Sequence, residues 1–298
     1  MPQPSTPVSV IIPTHNRADF LARAVDSVLA QTYGNFELIV VDDGSTDHTP
    51  QLLSAYGRDV IMVRQENRGP AAARNLGIRQ ARHPLLAFLD SDDRFAPEKL
   101  ALQVKAMEAA PGVLISHTQE IWYRNGSHLN QKKIHAKGHG DIFARSLRLC
   151  VVGMSTVMAS RDLFRQVGLF DEELPCCEDY DLWLRASLHT PFLLVDRPLT
   201  LKEGGRPDQV SVRFRLGMDR FRIRSLEKLL AGPVLDPFRR RLACAELARK
   251  ARIYGNGCLK HGRGEEGRRF LALAEEYGRE AGLPLSGEPD KFRLTVDG

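Results

Sequence analysis

Leu85-Leu86-Ala87-Phe88-Leu89-Asp90-Ser91-Asp92-Asp93 is a short apolar run that ends in three carboxylates. An apolar run of this length predicts a buried strand. The three carboxylates at its end repel one another unless a cation or a ligand rich in hydrogen-bond donors holds them. An Asp-x-Asp pair suits a divalent metal that carries a phosphorylated substrate, because Mg²⁺ and Mn²⁺ prefer oxygen ligands. The stretch therefore predicts a ligand site at a strand end, with a solvated acidic turn as the alternative.

Two further acidic clusters favour the ligand site over the solvated turn. Val40-Val41-Asp42-Asp43-Gly44-Ser45 is a second apolar run that ends in carboxylates. Cys177-Glu178-Asp179-Tyr180-Asp181 is a third cluster further along the chain. Carboxylates at three places favour a site for a cation that carries a phosphorylated substrate over three unrelated turns.

Apolar runs and helical spacings alternate along the N-terminal part of the chain. Strands are predicted at 8–12, 36–41, 60–63 and 85–89, and helices at 19–29, 45–56 and 70–80. Such alternation predicts a mostly parallel sheet with right-handed crossovers, in which ligands bind beyond the carboxyl ends of the strands. Pro13-Thr14, Asp42-Asp43 and Asp90-Ser91-Asp92 all fall at such ends. We therefore expect one site built from several strand ends.

The later segments are predicted in less detail. The sequence predicts two strands at 113–117 and 120–123 around a turn, and a loop over 124–142 that could cover a site. A helix is predicted from Leu182, after the third acidic cluster, and a short strand at 192–195.

Motif and cysteine patterns disfavour several classes of protein. No predicted strand is followed by G-x-G-x-x-G, and G-x-x-x-x-G-K-[ST] is absent, which disfavours Rossmann dinucleotide binding and P-loop hydrolysis. The five cysteines form no C-x-x-C pair, so reduced thiols are expected. No run approaches about 18 apolar residues, and the first residues lack the basic and apolar parts of a signal peptide. A cytoplasmic protein is therefore predicted.

The C-terminal region differs from the rest in charge and spacing. Lys and Arg outnumber Asp and Glu by 18 to 9 in residues 206–279, within a chain of net charge +5. Helical spacings over 214–229, 237–260 and 265–281 predict an α-helical extension at residues 216–298. Its basic faces could be solvated, or could contact phosphates, nucleic acid or an anionic membrane face. The helices could also form a homo-oligomer surface.

Five segments, in order along the chain, resemble glycosyltransferase family 2, whose members have the GT-A fold. They are residues 8–17, 40–47, 67–75, 89–93 and 178–183. The resemblance covers roughly residues 7–205 and leaves the chain beyond about residue 215 unexplained. It implies an α/β GT-A nucleotide-diphospho-sugar transferase fold over residues 1–215, with a mostly parallel sheet flanked by helices, followed by the helical extension at 216–298.

The resemblance also implies a nucleotide site. Asp42 or Asp43 would accept a hydrogen bond from the N3–H of a pyrimidine ring or from a ribose hydroxyl. Arg74 would reach the nucleotide and order Asp90, which would bind the ribose or the metal. The nucleotide-binding residues implied are Pro13, Thr14, Asn16, Arg17, Asp42, Asp43, Arg74, Asp90 and Ser91.

A metal ligand and a general base are implied in the same way. Asp92 would be the direct ligand of a divalent metal, Mn²⁺ or Mg²⁺, that bridges to the diphosphate. Asp179 would take the proton of the acceptor hydroxyl, with Glu178 as the runner-up. Many relatives carry a histidine after the last core strand, whereas residues 202–211 here contain none. Lys202 or Arg206 could neutralise the diphosphate instead, which leaves the number of protein metal ligands open.

The implied activity is inverting, metal-assisted transfer of a sugar to an acceptor hydroxyl. The donor would be of the UDP or dTDP type and the acceptor a saccharide or a lipid-linked molecule, as in bacterial polysaccharide or glycolipid assembly. No nucleic-acid partner is expected, and the basic extension could rest on the anionic inner leaflet of a membrane. The alternative is a degenerate copy that binds a nucleotide sugar or a partner without catalysis. A nucleotidyltransferase is disfavoured because residues 14–17 lack a glycine-rich loop for a triphosphate.

Overall fold

The computed structural model describes residues 5–206, 209–232 and 235–283. The chain divides into two compact units, Met1–Arg213 and Phe214–Gly298. The domain boundary predicted from the sequence, after residue 215, lies two residues further on and stays a prediction. Residues 1–4 and 207–208 of the first predicted domain, and 233–234 and 284–298 of the predicted extension, lie outside the described residues.

A mixed β-sheet forms the centre of the first unit. Its strands within the described residues are β1 Val8–Thr14, β2 Phe36–Asp43, β3 Ile61–Gln65, β4 Leu85–Phe88, β5 Arg94–Phe95, β6 Ile115–Arg124, β7 Ser127–Leu129, β8 Met158–Ser160 and β9 Phe192–Gly204. They lie in the order β3-β2-β1-β4-β8-β6-β9-β5, and β7 pairs with β6. β3, β2, β1 and β4 are parallel, whereas β8 is antiparallel to β4 and β6. The carboxyl ends of the four parallel strands therefore share one edge.

Helices cover both faces of this sheet. They are α1 Ala18–Leu29, α2 Thr49–Ala55, α3 Pro70–Gln80, α4 Lys99–Glu108, α5 Phe143–Arg148, α6 Arg161–Val167, α7 Glu178–Ala186 and α8 Val210–Arg213. Ile11 of β1 belongs to one buried apolar cluster, and its neighbours Val10 and Ile12 belong to another. Because successive side chains of a strand point to opposite faces, the parallel strands are buried on both sides. The predicted α/β class is confirmed.

The helix predicted over 45–56 begins later than expected, at Thr49. Ser45 and Thr46, the first residues of the predicted helix, form hydrogen bonds with the loop after β1 instead. Ser45 Oγ accepts from the backbone N–H of Asn16 at 2.9 Å, and the Thr46 N–H donates to Asn16 Oδ1 at 2.8 Å. The helix therefore starts only after Ser45 and Thr46, whose polar groups form hydrogen bonds with Asn16.

The strands predicted in the second half of the first unit are too short. One strand, β6, replaces the two predicted at 113–117 and 120–123, and it passes an irregular register between Thr118 and Glu120. The strand predicted at 192–195 continues to Gly204 because β9 pairs along the length of β6. The predicted loop over 124–142 contains β7, and the helix predicted from Leu182 begins at Glu178. Pairing with a distant strand, which sequence patterns do not show, sets these lengths.

Lys99 is completely buried on the inner face of α4. Its ammonium group donates to Gln103 Oε1 at 2.5 Å and lies 4.2 Å from the centroid of the Phe95 ring. Burial lowers the pKa of Lys99 to about 7. Between that pH and the ordinary lysine range, the folded protein therefore holds fewer protons than the unfolded chain.

Lys99→Met should make the free energy of unfolding less dependent on pH in mildly alkaline buffer. In the parent protein the free energy of unfolding should rise above about pH 7 by up to ~1.4 kcal/mol per pH unit, because unfolding then takes up a proton. Chemical denaturation at several pH values measures this slope. Lys105→Met, on the exposed side of the same helix, should keep it. An unchanged slope in Lys99→Met would mean that Lys99 stays charged in the fold.

The second unit contains three helices within the described residues, α9 Met218–Ala231, α10 Pro237–Lys260 and α11 Gly264–Glu280. The last two form a helical hairpin in which glycines allow a close approach. A Cβ atom at Gly267 would lie 2.7 Å from Leu259 Cδ2, and one at Gly255 would lie 3.0 Å from the Gly267 carbonyl oxygen.

In the parts of the chain that the structure describes, no helix combines the length and apolar character needed to cross a bilayer.

Candidate active site

The parallel strands bring several predicted site residues to one edge of the sheet. Pro13 and Thr14 end β1, and Thr14 is in register with Asp42 of β2. Asp42 is in turn in register with Arg64 of β3. Since β4 is parallel to β1, the loop that carries Asp90 leaves the sheet at this same edge. The acidic ends of β2 and β4 therefore border one site.

Asp42 is a buried carboxylate with one oxygen that accepts no hydrogen bond from the described residues. Oδ1 accepts from the backbone N–H of Ser45 at 2.9 Å, whereas Oδ2 lies 3.5 Å from Arg64 Nε without a hydrogen bond. The buried hydroxyl of Thr14, in register beside Asp42, also lacks a hydrogen bond within the described ranges. This edge therefore offers a ligand one acceptor and one hydroxyl. A cleft of about 560 Å³ opens at Arg64 and is lined by Gly44, Arg64, Gln65, Glu66 and Asn67.

Both carboxylate oxygens of Asp43 accept hydrogen bonds from other residues of the protein. It accepts from Gln65 Nε2 at 2.7 Å, from the Arg68 N–H at 2.9 Å and from the Gly69 N–H at 2.8 Å. Gly69 has a φ of 88° and precedes the first residue of α3. Asp43 therefore fixes the turn from which α3 begins, and the predicted contact of Asp43 with a nucleotide stays a prediction.

Asn16 and Arg17 shape the loop between β1 and α1. Asn16 has a φ of 52°, a region that asparagine tolerates, and its Oδ1 accepts from the Thr46 N–H at 2.8 Å. Burial lowers the pKa of Arg17, the negative charge of Asp92 opposes this shift, and the positive charge of Arg206 adds to it. Arg17 therefore lies in the field of both Asp92 and Arg206.

Arg74 connects the acidic loop after β4 to the first turn of α7. Its Nη2 lies 2.7 Å from Asp90 Oδ1 and its Nη1 lies 2.5 Å from Glu178 Oε1. Burial opposes the charge of Arg74, but the two carboxylates outweigh it and raise the pKa of Arg74 above its ordinary value. Breaking a buried ion pair of this kind costs about 3–5 kcal/mol, so the two segments are firmly tied together.

The acidic loop itself is held by Ser155. The Ser155 hydroxyl accepts from the Asp90 N–H at 3.0 Å and donates to Asp93 Oδ2 at 2.6 Å. Ser91 is buried within this loop. Burial raises the pKa of both Asp92 and Asp93, and the neighbouring carboxylates add to the rise. The loop thus gathers carboxyl groups that are costly to keep charged without cations.

Two cations from β9 and the segment after it balance these carboxylates. Burial opposes the charge of Lys202, but the surrounding carboxylates, Glu120 foremost, raise the pKa of Lys202 above its ordinary value. Arg206 Nη2 forms an ion pair with Asp92 Oδ2. Both cations lie in the stretch that lacks the histidine of many relatives. Asp92, the predicted metal ligand, is thus paired with a cation of the chain itself.

Asp179 lies half-buried in the first turn of α7. Its Oδ1 accepts from the Tyr180 N–H at 2.7 Å, and its Oδ2 accepts from the Cys150 thiol at 3.3 Å. The neighbouring Glu178 is buried and held by Arg74. Asp179 is therefore the more accessible of the two predicted base candidates. Sequence reasoning missed its contact with Cys150, because no motif marks that residue.

The carboxylates of the acidic loop fit a metal that is shared with a substrate. Within the described ranges, no group of three or more His, Cys, Asp or Glu side chains is placed to hold a metal ion. Mg²⁺, however, is commonly held by only one or two carboxylates together with substrate phosphates. Burial and then the charge of Asp90 raise the pKa of Asp92, so these two carboxylates are close enough to repel each other. A cation between them would relieve that repulsion.

The sequence matches known glycosyltransferases. The family model described as "Glycosyl transferase family 2" matches residues 9–168. A protein named "Uncharacterized glycosyltransferase" from Rickettsia felis is 36% identical over 208 residues, which are 65% of this chain and 32% of that protein. The Escherichia coli protein "UDP-Glc:alpha-D-GlcNAc-diphosphoundecaprenol beta-1,3-glucosyltransferase WfgD" is 31% identical over 182 residues, which are 59% of this chain and 68% of that protein.

The fold also matches solved structures. S. aureus TarS 1-349, crystallised with UDP-GlcNAc, superposes with a TM-score of 0.73 at 20% identity, over 92% of this chain and 81% of that chain. The mannosyltransferase PcManGT from Pyrobaculum calidifontis, in complex with GDP-Man and Mn²⁺, superposes with a TM-score of 0.61 at 17% identity, over 94% and 87% of the two chains. Structural similarity at 20% and 17% sequence identity shows that the three proteins share a fold.

The protein has an α/β sheet, and the acidic ends of two of its strands border one site. These features define its class, which is a GT-A fold with additional C-terminal helices. The predicted GT-A fold is confirmed. The chain belongs to glycosyl transferase family 2, as the resemblance implied. It spans about a third of the length of the Rickettsia felis relative.

Proposed function

We propose that this protein transfers a sugar from a nucleotide-diphospho sugar to an acceptor hydroxyl, with inversion and with the help of a divalent metal. The observation that carries the proposal is the pair of contacts made by Arg74, which tie the Asp90 loop to the turn that carries Asp179. These contacts hold a diphosphate site and a candidate base in a fixed relation, which in-line attack requires. Membership of glycosyl transferase family 2 supports the same reaction class.

The two buried polar groups at the ends of β1 and β2 support uracil or thymine as the donor base. Asp42 Oδ2 would accept from the ring N3–H, and the Thr14 hydroxyl would donate to a ring carbonyl beside it. Arg64 covers Asp42 and would have to move aside, which its 51% exposed side chain allows. Guanine is disfavoured as the donor base. It presents two adjacent N–H donors, whereas only Oδ2 of Asp42 remains to accept, because Oδ1 accepts from the Ser45 N–H.

Asp42→Asn should reverse the preference between UDP and CDP. The amide oxygen would keep the hydrogen bond from Ser45, which leaves an NH₂ group where Oδ2 accepted. UDP should then bind more weakly by about 1–3 kcal/mol, because two donors face each other. CDP should bind more tightly, because N3 of cytosine is an acceptor. Calorimetry with both nucleotides measures this, and unchanged affinity for UDP would reduce Asp42 to a turn residue.

The divalent metal would be held by Asp92, with Asp90 beside it, and by oxygens of the donor. When bound, it would supply positive charge to the leaving diphosphate. Lys202 adds a half-buried positive charge to the same cluster from the protein side. Arg74 orients the Asp90 carboxylate and the Ser155 hydroxyl accepts from the Asp90 backbone N–H, so Asp90 need not reorganise when the donor binds.

Asp179 would accept the proton of the acceptor hydroxyl as that oxygen attacks the sugar. Inversion requires one carboxylate on the face of the sugar opposite the leaving diphosphate. Glu178 cannot easily serve, because its carboxylate is buried and held by Arg74. Cys150 donates to the Oδ2 atom of Asp179 and so helps to orient the carboxylate.

The acceptor is proposed to be a saccharide or a lipid-linked molecule in bacterial polysaccharide or glycolipid assembly. The full name of WfgD includes a diphosphoundecaprenol acceptor, which supports the lipid-linked alternative. The cytoplasmic location, the contact of the basic C-terminal region with an anionic membrane face, and a homo-oligomer through the C-terminal helices stay predictions.

Incubation with a panel of nucleotide sugars, Mn²⁺ and water as the acceptor tests the proposed function. Slow release of a nucleoside diphosphate from a UDP- or dTDP-sugar is the expected result. Binding of the nucleotide sugar without any release of a nucleoside diphosphate would support the degenerate copy instead. Release of pyrophosphate from a nucleoside triphosphate would indicate a nucleotidyltransferase.

A further inference from the structure

Arg206 occupies the carboxylate that the proposed function assigns to the metal. Its guanidinium forms an ion pair with Asp92 Oδ2, and the Arg206 side chain is only 14% exposed. The same guanidinium lies 4.3 Å from the centroid of the Phe20 ring, which belongs to α1. Arg206 therefore contacts both an acidic residue and an aromatic ring, and it is not a solvated surface side chain.

The backbone around Arg206 is held in place as well. Gln209 Oε1 accepts from the Gly205 N–H at 2.9 Å and from the Arg206 N–H at 3.3 Å. Gly205 has a φ of 96°, a conformation that a residue with a side chain rarely adopts. The turn after β9 thus directs the Arg206 side chain back toward Asp92.

A metal ion and the Arg206 guanidinium compete for Asp92. Both are cations that need an oxygen of the same carboxylate, and each repels the other at short range. A diphosphate changes this balance, because it offers phosphate oxygens that match the fork of a guanidinium. The donor can therefore take Arg206 away from Asp92 and leave the carboxylate free for the metal.

We propose that Arg206 is a positioning residue that holds Asp92 until a nucleoside diphosphate binds and then transfers its contact to the phosphate oxygens. Metal and nucleotide consequently bind cooperatively, each more tightly when the other is present. This inference rests on the proposed function, since it takes Asp92 as the metal ligand. Linkage requires the effect to be reciprocal between the two ligands, and couplings of this kind typically amount to about 5–150-fold.

The test measures Mn²⁺ binding to the full chain by the electron paramagnetic resonance signal of free Mn²⁺, without and with saturating UDP. In Arg206→Ala, Mn²⁺ alone should bind about tenfold more tightly than in the parent, because nothing competes for Asp92. The gain in Mn²⁺ affinity that UDP produces should shrink by the same factor. Arg213→Ala removes one positive charge from an exposed position nearby and should behave as the parent does.

Phe20→Leu provides a second variant that removes the aromatic contact of Arg206 without changing any charge. Mn²⁺ alone should again bind more tightly, by a smaller factor. Equal Mn²⁺ affinities in the parent, Arg206→Ala and Arg213→Ala would overturn the inference while leaving the transferase proposal intact. If Asp92→Asn binds Mn²⁺ as the parent does, the metal assignment fails and the inference falls with it. If no variant bound UDP, the nucleotide site on which the proposed function depends would fail, and that result differs from both outcomes above. If UDP bound but no nucleoside diphosphate were released, the transferase proposal would fail while the inference about Arg206 stood.

Discussion

Asp179→Asn should leave donor binding intact and slow transfer about 10²–10⁴-fold, the usual contribution of a general base. The amide keeps the size of the carboxylate and can still receive the hydrogen bond from Cys150, but it cannot take a proton. Donor affinity should persist because its proposed contacts, at Asp42 and Asp92, lie outside α7. Parallel measurements of nucleotide binding by calorimetry and of nucleoside diphosphate release separate the two effects.

The matched control is Glu173→Gln, an exposed carboxylate in the segment that leads into α7. It undergoes the same chemical change and should retain full turnover. Glu178→Gln is not equivalent, because it takes a buried partner from Arg74 and so disturbs the Asp90 loop. Near-normal turnover of Asp179→Asn would move the base elsewhere. If Glu178→Gln were then inactive at an unchanged melting temperature, Glu178 would be the base.

Asp92→Asn should remove metal-dependent turnover, with a loss of about 10²–10³-fold, the order found when one stabilising group for developing charge is deleted. An amide oxygen is a poorer ligand for a hard cation than a carboxylate oxygen. The substitution removes the partner of Arg206, but the fold should persist, because burial and then the charge of Asp90 raise the pKa of Asp92 and so favour an uncharged side chain at this position. Initial rates over a range of Mn²⁺ concentrations, with a melting curve for each protein, measure both quantities.

Asp59→Asn serves as the control for this experiment. Asp59 is exposed and lies just before β3, at the edge of the sheet opposite the site. Its substitution should change neither the rate nor the Mn²⁺ dependence. Full activity of Asp92→Asn with an unchanged Mn²⁺ dependence would show that Asp92 lies outside the metal site.

Local patterns in the sequence were enough to predict the parallel half of the sheet. The apolar runs of β1, β2 and β4 and the helical spacing of α1 depend on neighbouring residues, and such patterns are visible without a structure. Since parallel strands place ligands at their carboxyl ends, the position of the candidate site followed from them. The lengths of β6 and β9 did not follow, because they depend on pairing between distant segments.

The contacts that organise the candidate site join residues far apart in the chain. Arg74 and Glu178 are 104 positions apart, and Arg206 and Asp92 are 114 apart. A single sequence gives no periodicity or spacing for such contacts. Arg74 could be predicted because it lies in a motif, whereas the contacts of Cys150 and of Phe20 with site residues could not.

The paired aspartates at the end of β2 have consequences for how such proteins diverge. One carboxylate oxygen of Asp42 accepts no hydrogen bond from the described residues. Both oxygens of Asp43 accept hydrogen bonds, from Gln65 and from the turn before α3. Because neighbours in a strand point to opposite faces, neither can take the place of the other. Under the proposed function, selection for folding therefore acts on residue 43 and selection for donor choice on residue 42. Substitution at position 42 alone would then change the nucleotide preference and leave the contacts of Asp43 with the turn before α3 in place.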